Sequence, residues 1–180
     1  MGQVISGGLT QYDVEDIQAY CDGFFSQSEI LSLYARFKKL DMKSKGYLSK
    51  DEIEKIPEVS INPLSQRLVN LFAGVNFKEY ARLLSAFSAK ASRQAKIAFM
   101  FQVYDVDRDG WVGREDLVIM LEMMTGSHMS KDEVNAVAEK VLRDAGATEK
   151  GLDVAAYGRA MGPNGALGLV VTVPGAHADE

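Results

Sequence analysis

The sequence predicts an all-α protein of two lobes, each a pair of helix-loop-helix units whose loops meet through short β-bridges. Two observations carry this. An apolar residue followed by another five positions later recurs as Leu48/Ile53, Val75/Tyr80, Val112/Leu117 and Leu152/Tyr157. Ahead of these pairs lie amphipathic runs at helical spacing: Ile30, Leu33, Tyr34 and Phe37; Ile97, Met100, Phe101 and Tyr104; Val134, Val137, Ala138 and Val141.

Local signals place the elements along the chain. Ser26-Gln27-Ser28-Glu29 is a capping box, in which a hydroxyl and a carboxylate each satisfy a backbone N–H that a helix start leaves orphaned. Ser49-Lys50-Asp51-Glu52 opens the next helix in the same way. Asn62-Pro63 supplies a cap and a proline for the first helical position. Ser130-Lys131-Asp132-Glu133 is a third capping box, and Gly162-Pro163 ends the last helix. The expected organisation is an acidic arm with an acylation motif over 1–25 and a degenerate pair of units over 26–88. A second pair, with one metal-competent loop, spans 92–161, and a tail without helical period covers 162–180.

The chemistry concentrates in one loop. Asp105, Asp107 and Asp109 alternate at loop positions 1, 3 and 5, and Gly110 follows at the sharp turn. A hard cation takes about six to eight oxygens, and this alternation turns three carboxylates inward, with the Trp111 carbonyl as a backbone ligand. This is the pattern of an EF-hand calcium loop. Asp116 stands at position 12, where a bidentate Glu is usual. One methylene shorter, it reaches an ion with one oxygen or none, which favours Mg2+ or weak Ca2+ binding. The expected metal ligands are Asp105, Asp107, Asp109, Trp111 and Asp116, for one weak Ca2+ or Mg2+ site.

The remaining loops lack such a set. In the first, running 41–52, Lys43 and Lys45 occupy positions 3 and 5 and repel a divalent ion. Either an ammonium substitutes for the ion and holds the loop closed, or the lysines are simply solvated. The second loop is too short between its helices to wrap a cation, although Glu79 keeps the place of the terminal ligand. The fourth has Ala145, Ala147, Glu149, Lys150 and Ala156 at positions 1, 3, 5, 6 and 12, and so has lost its ligands.

Composition excludes several functional classes. The 180 residues carry 20 Lys+Arg against 25 Asp+Glu, a formal net charge of -5, which does not advertise a nucleic-acid-binding face. Residues 1–35 hold five acids and no Lys or Arg, so the acidity belongs to the arm and not to the calcium loops. Cys21 is the one cysteine, which rules out an intramolecular disulfide. No run approaches the roughly 18 apolar residues of a membrane span. His128 and His177 join no nucleophilic constellation and no phosphate loop is present, so the chain reads as a non-enzyme.

Several stretches point to one family. Leu33-Tyr34-Ala35-Arg36-Phe37-Lys38-Lys39-Leu40-Asp41, the linker from Ile56-Pro57-Glu58 to Asn62-Pro63-Leu64, Val75-Asn76-Phe77-Lys78-Glu79-Tyr80, and the run from Phe101 through Met123-Met124-Thr125-Gly126 carry the likeness. Over Phe25 to Leu142 the chain resembles the calcineurin regulatory B subunit and the calcineurin B homologous proteins. The resemblance implies a non-catalytic regulatory or scaffold subunit that grips an amphipathic helix of a larger partner in an apolar groove. That partner would be a phosphatase catalytic subunit, an exchanger tail or a component of a cytoskeletal complex. The alternative is a single-site calcium sensor whose groove opens on loading. Flexible thioethers suit such a groove, and Met120, Met123, Met124 and Met161 are its expected lining, set against ordinary core packing for part of them.

Met1-Gly2-Gln3-Val4-Ile5-Ser6 fits the motif for N-myristoylation at Gly2. One myristoyl chain binds membranes only marginally, and the acidic arm would be repelled by an anionic leaflet, so membrane contact is expected to be weak at most. The expected location is the cytoplasm, with membrane or cytoskeletal association through the partner.

Overall fold

The structure, a computed structural model, describes residues 4–6 and 8–162. It divides into two compact units. The first takes in the described residues up to Ile56 together with Phe72–Ser92; the second takes in Pro57–Leu71 and the described residues from Arg93 to Gly162. The division keeps a boundary at Ser92/Arg93, near the expected 88–92, and differs from the repeat order in where Pro57–Leu71 falls. The segment that leads into the second loop belongs by packing to the unit of the third and fourth loops.

In the first unit, β1 (Val4–Ser6) pairs antiparallel with β2 (Leu9–Thr10), and α1 (Gln11–Tyr20) follows directly. The acidic arm is therefore a folded element in its described part. Val14, Ile17 and Cys21 recur at i, i+3 and i+7, and all three are buried. Thr10 starts α1 with a capping box in which its hydroxyl accepts from the Asp13 N–H and Asp13 accepts from the Thr10 N–H. The Thr10 hydroxyl, which also donates to Asp13 Oδ2 at 2.7 Å, and then the Thr10 N–H favour the charged form and hold the Asp13 carboxyl below its ordinary value.

Next come α2 (Gln27–Leu40), α3 (Lys50–Glu54) and α6 (Phe77–Ser85), the first opened by the Ser26 box and the last by Asn76 with Glu79. Phe37 lies between the rings of Phe77 and Tyr80, with both centroid distances 5.5 Å, so the helical stripe of α2 seats on that of α6. The acids of α1 and its C-terminal turn meet cations of α6. Asp16 pairs with Lys78 and Asp22 with Arg82, each at 2.5 Å. Both pairs are solvent-exposed, so they orient more than they stabilise.

The second unit contains α4 (Pro57–Ser60), α5 (Ser65–Phe72, through Leu71), α7 (Arg93–Tyr104), α8 (Arg114–Thr125), α9 (Lys131–Asp144) and α10 (Val154–Ala160). Asn62 accepts the Leu64 N–H at 2.8 Å and so closes a turn, but regular helix begins only at Ser65, leaving Asn62 and Pro63 ahead of it instead of at its cap and first position. The core joins Ile97, Phe101, Val112, Leu117, Ala138, Leu152 and Tyr157. Ser130 and Glu133 complete the box that opens α9.

Loops meet as the repeats predict. Leu48 exchanges backbone hydrogen bonds with Gly74 and Val75, at 2.7 and 3.1 Å, and Val112 exchanges two with Leu152, at 2.8 and 3.0 Å. At Gly151, with φ of +120°, an added Cβ would overlap the Val112 carbonyl oxygen and lie 2.8 Å from its carbon, so only glycine permits the approach of the third and fourth loops. No helix among the described residues is long and apolar enough to cross a membrane.

Candidate metal centre

The third loop leaves α7 at Tyr104 and enters α8 at Arg114. Its backbone is shaped by two left-handed residues, Arg108 at φ of +64° and Gly110 at +86°. Side chains brace it from within. The Gly110 N–H donates to Asp105 Oδ2 at 3.1 Å, the Asp109 N–H to Asp107 Oδ1 at 3.1 Å, and the Trp111 N–H to Asp109 Oδ1 at 2.8 Å.

These bonds turn one oxygen of each aspartate toward the backbone and gather the three carboxylates. Asp105, Asp107 and Asp109 each offer an oxygen within 4.8 Å of the others. Asp105 is buried, and its Oδ1 has no hydrogen-bond partner. A buried carboxylate oxygen without a donor is costly, and a hard cation at the centre of the cluster is the partner that this oxygen set suits. The residues therefore fit Ca2+ or Mg2+.

Asp116 has a different position from the other three. It is buried, and its Oδ1 accepts the Val106 N–H while its Oδ2 accepts the Gly113 N–H, both at 2.8 Å. The carboxylate ties the beginning of the loop to the start of α8, and it is not one of the three gathered acids. Trp111 is half-buried, with the Lys150 ammonium 5.7 Å from its ring centroid.

Arg67 of α5, which sequence reasoning passed over, is built into this centre. It is buried, and its guanidinium donates to the carbonyls of Gln102, Val103, Asp105 and Val106. The last turn of α7 leaves carbonyls without intrahelical donors, and a planar fork of five N–H groups is the side chain that satisfies several at once. Burial and the neighbouring Arg108 cation disfavour its charge, against the pull of Asp105 and Asp116. An arginine in an otherwise amphipathic helix was the available signal.

In the first loop, Ser44 at φ of +51° and Gly46 at +83° repeat the left-handed positions 4 and 6 of the third. The Gly46 N–H donates to Asp41 Oδ2 at 2.7 Å, as Gly110 does to Asp105. Lys43 is exposed, whereas the Lys45 ammonium donates to Glu52 Oε2 at 2.7 Å. In the second loop only 73–76 separate α5 from α6, and Glu79 is spent on the Asn76 cap. In the fourth, Thr148 and Gly151 bond to each other, and Asp153 caps α10.

The expected groove residues divide. Met120 is fully buried, Met161 packs against the core of the second unit, Met123 is half-buried and Met124 is exposed. Met120 follows Leu117 on the buried face of α8, a face that ends before Met124. Gly2 lies outside the described residues.

An EF-hand domain pair model matches residues 94–150. The chain is 36% identical over 163 residues to a type 2 calcineurin B subunit of Dictyostelium discoideum, covering 87% of this chain and 88% of the relative. It is 39% identical over 145 residues to a calcineurin B subunit of Naegleria gruberi, covering 78% and 81%. The chain belongs to the calcineurin B family. A calcineurin B subunit of Yarrowia lipolytica is 37% identical over 126 residues, 67% of this chain and 73% of the relative. The calcineurin B-like fold accounts for the paired loops, and among the described residues the third loop is the one whose acids gather closely enough to hold an ion.

Proposed function

We propose that this calcineurin B-like chain is a non-catalytic regulatory subunit that holds an amphipathic helix of a larger protein, with one weak Ca2+ or Mg2+ site in the third loop. The observation that carries the metal assignment is the buried, unpartnered Asp105 Oδ1 beside the oxygens of Asp107 and Asp109. Asp105, Asp107 and Asp109 would hold the ion with the Trp111 carbonyl, and a bound cation would neutralise three acids that otherwise repel one another. Asp116 fixes the loop from behind through two backbone N–H groups, which leaves it a poor terminal ligand and accounts for weak binding.

The partner reading rests on the relatives, each by name a B subunit of calcineurin, and points first to the catalytic subunit of that phosphatase. Exposed apolar side chains at Ile119, Met124 and Val141 give the second unit surface to offer a helix. Exchanger or cytoskeletal partners and a myristoyl contact at Gly2 are further branches of the same reading.

The test is calorimetric titration of the full chain with a calcineurin catalytic subunit, in EDTA and in Ca2+. Equal affinity in both supports a constitutive subunit. Binding that appears only with Ca2+ supports the sensor, and no binding in either removes this partner. Titration with the ions alone rejects the sensor if Ca2+ binds no tighter than about 1 mM.

A further inference from the structure

The first and third loops share one backbone path but differ in what fills it. Position 4 is left-handed in both, Ser44 and Arg108, and so is position 6, Gly46 and Gly110. The first-position carboxylate accepts the sixth-position N–H in both, and the twelfth-position carboxylate accepts the ninth-position N–H in both, Ser49 to Glu52 and Gly113 to Asp116. An EF-hand loop takes this shape around a cation. In the third loop, position 5 is an acid. In the first it is Lys45, whose Nζ bonds Glu52 Oε2 at 2.7 Å and lies 4.7 Å from the centroid of the Tyr47 ring at position 7.

We propose that the first loop is a cation site whose occupant is the chain's own Lys45 ammonium, bridging position 5 to Glu52 at position 12 and holding this loop closed at every calcium concentration. The surroundings are those of a cation site. Asp41 and Glu52 are buried acids, and Glu52 Oε1 has no hydrogen-bond partner, as Asp105 Oδ1 has none in the third loop. The Asp41 carboxylate accepts from the Lys45 N–H at 2.9 Å, so the backbone that launches the lysine is itself fixed by the first-position acid. Lys43, at position 3, is exposed and takes no part, which separates the two lysines that the sequence presents as equivalent. The consequence is a division of labour: the first loop is set by a covalently attached charge, and metal dependence is confined to the third. This inference stands whether or not the third loop takes an ion.

Amine acylation of the full wild-type chain, read by peptide mass spectrometry, tests the assignment without any variant. Lys45 should react at least about tenfold more slowly than Lys43, because its lone pair is withheld in the ion pair. Equal rates would overturn the proposal. Independently, Lys43→Asp/Lys45→Asp should create a second Ca2+ site with Kd below about 100 µM, since the remaining loop is already ion-shaped. Adding Glu52→Gln should abolish that second site. A double variant that folds but binds no additional ion, or a wild-type chain whose first loop binds Ca2+ with Lys45 in place, sinks the idea.

Discussion

Arg67 donates a hydrogen bond to the main-chain carbonyl of Asp105, the residue that opens the third loop. A side chain 38 positions earlier thus holds the backbone on which the three gathered acids are mounted. Arg67→Ala should leave the buried carbonyls of Val103 and Asp105 without this donor, strip the half-buried one of Gln102 as well, and cost about 3 kcal/mol in urea unfolding. Arg67→Lys keeps the charge but not the fork, so it should fold and bind Ca2+ more weakly in calorimetry. Unchanged affinity in the lysine variant would show that the clasp serves stability alone.

Asp116→Glu lengthens the terminal ligand by one methylene. Calcium affinity should rise about tenfold, read by terbium luminescence sensitised through Trp111 with Ca2+ as competitor. The same change loosens the Val106 and Gly113 hydrogen bonds, so thermal stability without metal should fall. Asp105→Asn should abolish ion binding.

The Glu52 carboxyl is pushed down to about 2, first by the Lys45 hydrogen bond and then by the Ser49 hydroxyl and N–H. A folded value below the ordinary 4.5 means that the charged form is favoured in the folded state. Its contribution is complete above that ordinary value and is lost as pH falls toward 2. Lys45→Met should therefore flatten the acid limb of the stability-pH profile, measured by urea midpoints from pH 5 to about 2. A profile parallel to wild type would refute the pairing.

Cys21 is fully buried, and desolvation raises its thiol to about 11. Alkylation at pH 8 should be slow in the folded chain and fast in urea. Rapid labelling of the native protein would mean that α1 does not dock as described.

Much of the architecture was legible because it is periodic. Ile30, Leu33 and Phe37, and Val134 with Ala138, fall on buried stripes, and the Ser26 and Ser130 boxes start helices where their hydroxyl and carboxylate patterns indicate. The gathered acids of the third loop were also legible, because calcium geometry imposes a fixed spacing. Arg67 was not. Its role depends on carbonyls brought close from 35 to 39 positions away, and no local pattern encodes a partner at that separation. The arm hides its helix for another reason: the acids of α1 draw attention from Val14, Ile17 and Cys21, whose spacing marks a buried face.

The Gly151–Val112 approach gives the fourth loop a purpose that its chemistry does not. With φ of +120° and the Val112 carbonyl in the way of any Cβ, Gly151→Ala should cost about 2–3 kcal/mol. The damage should travel: Val112 lies between Trp111 and Gly113, so displacing it shifts the loop that carries the three gathered acids as well. A loop that gathers no acids among the described residues is thereby a splint for its neighbour, and genetic variation in 147–152 should register as altered metal binding at Asp105, Asp107 and Asp109.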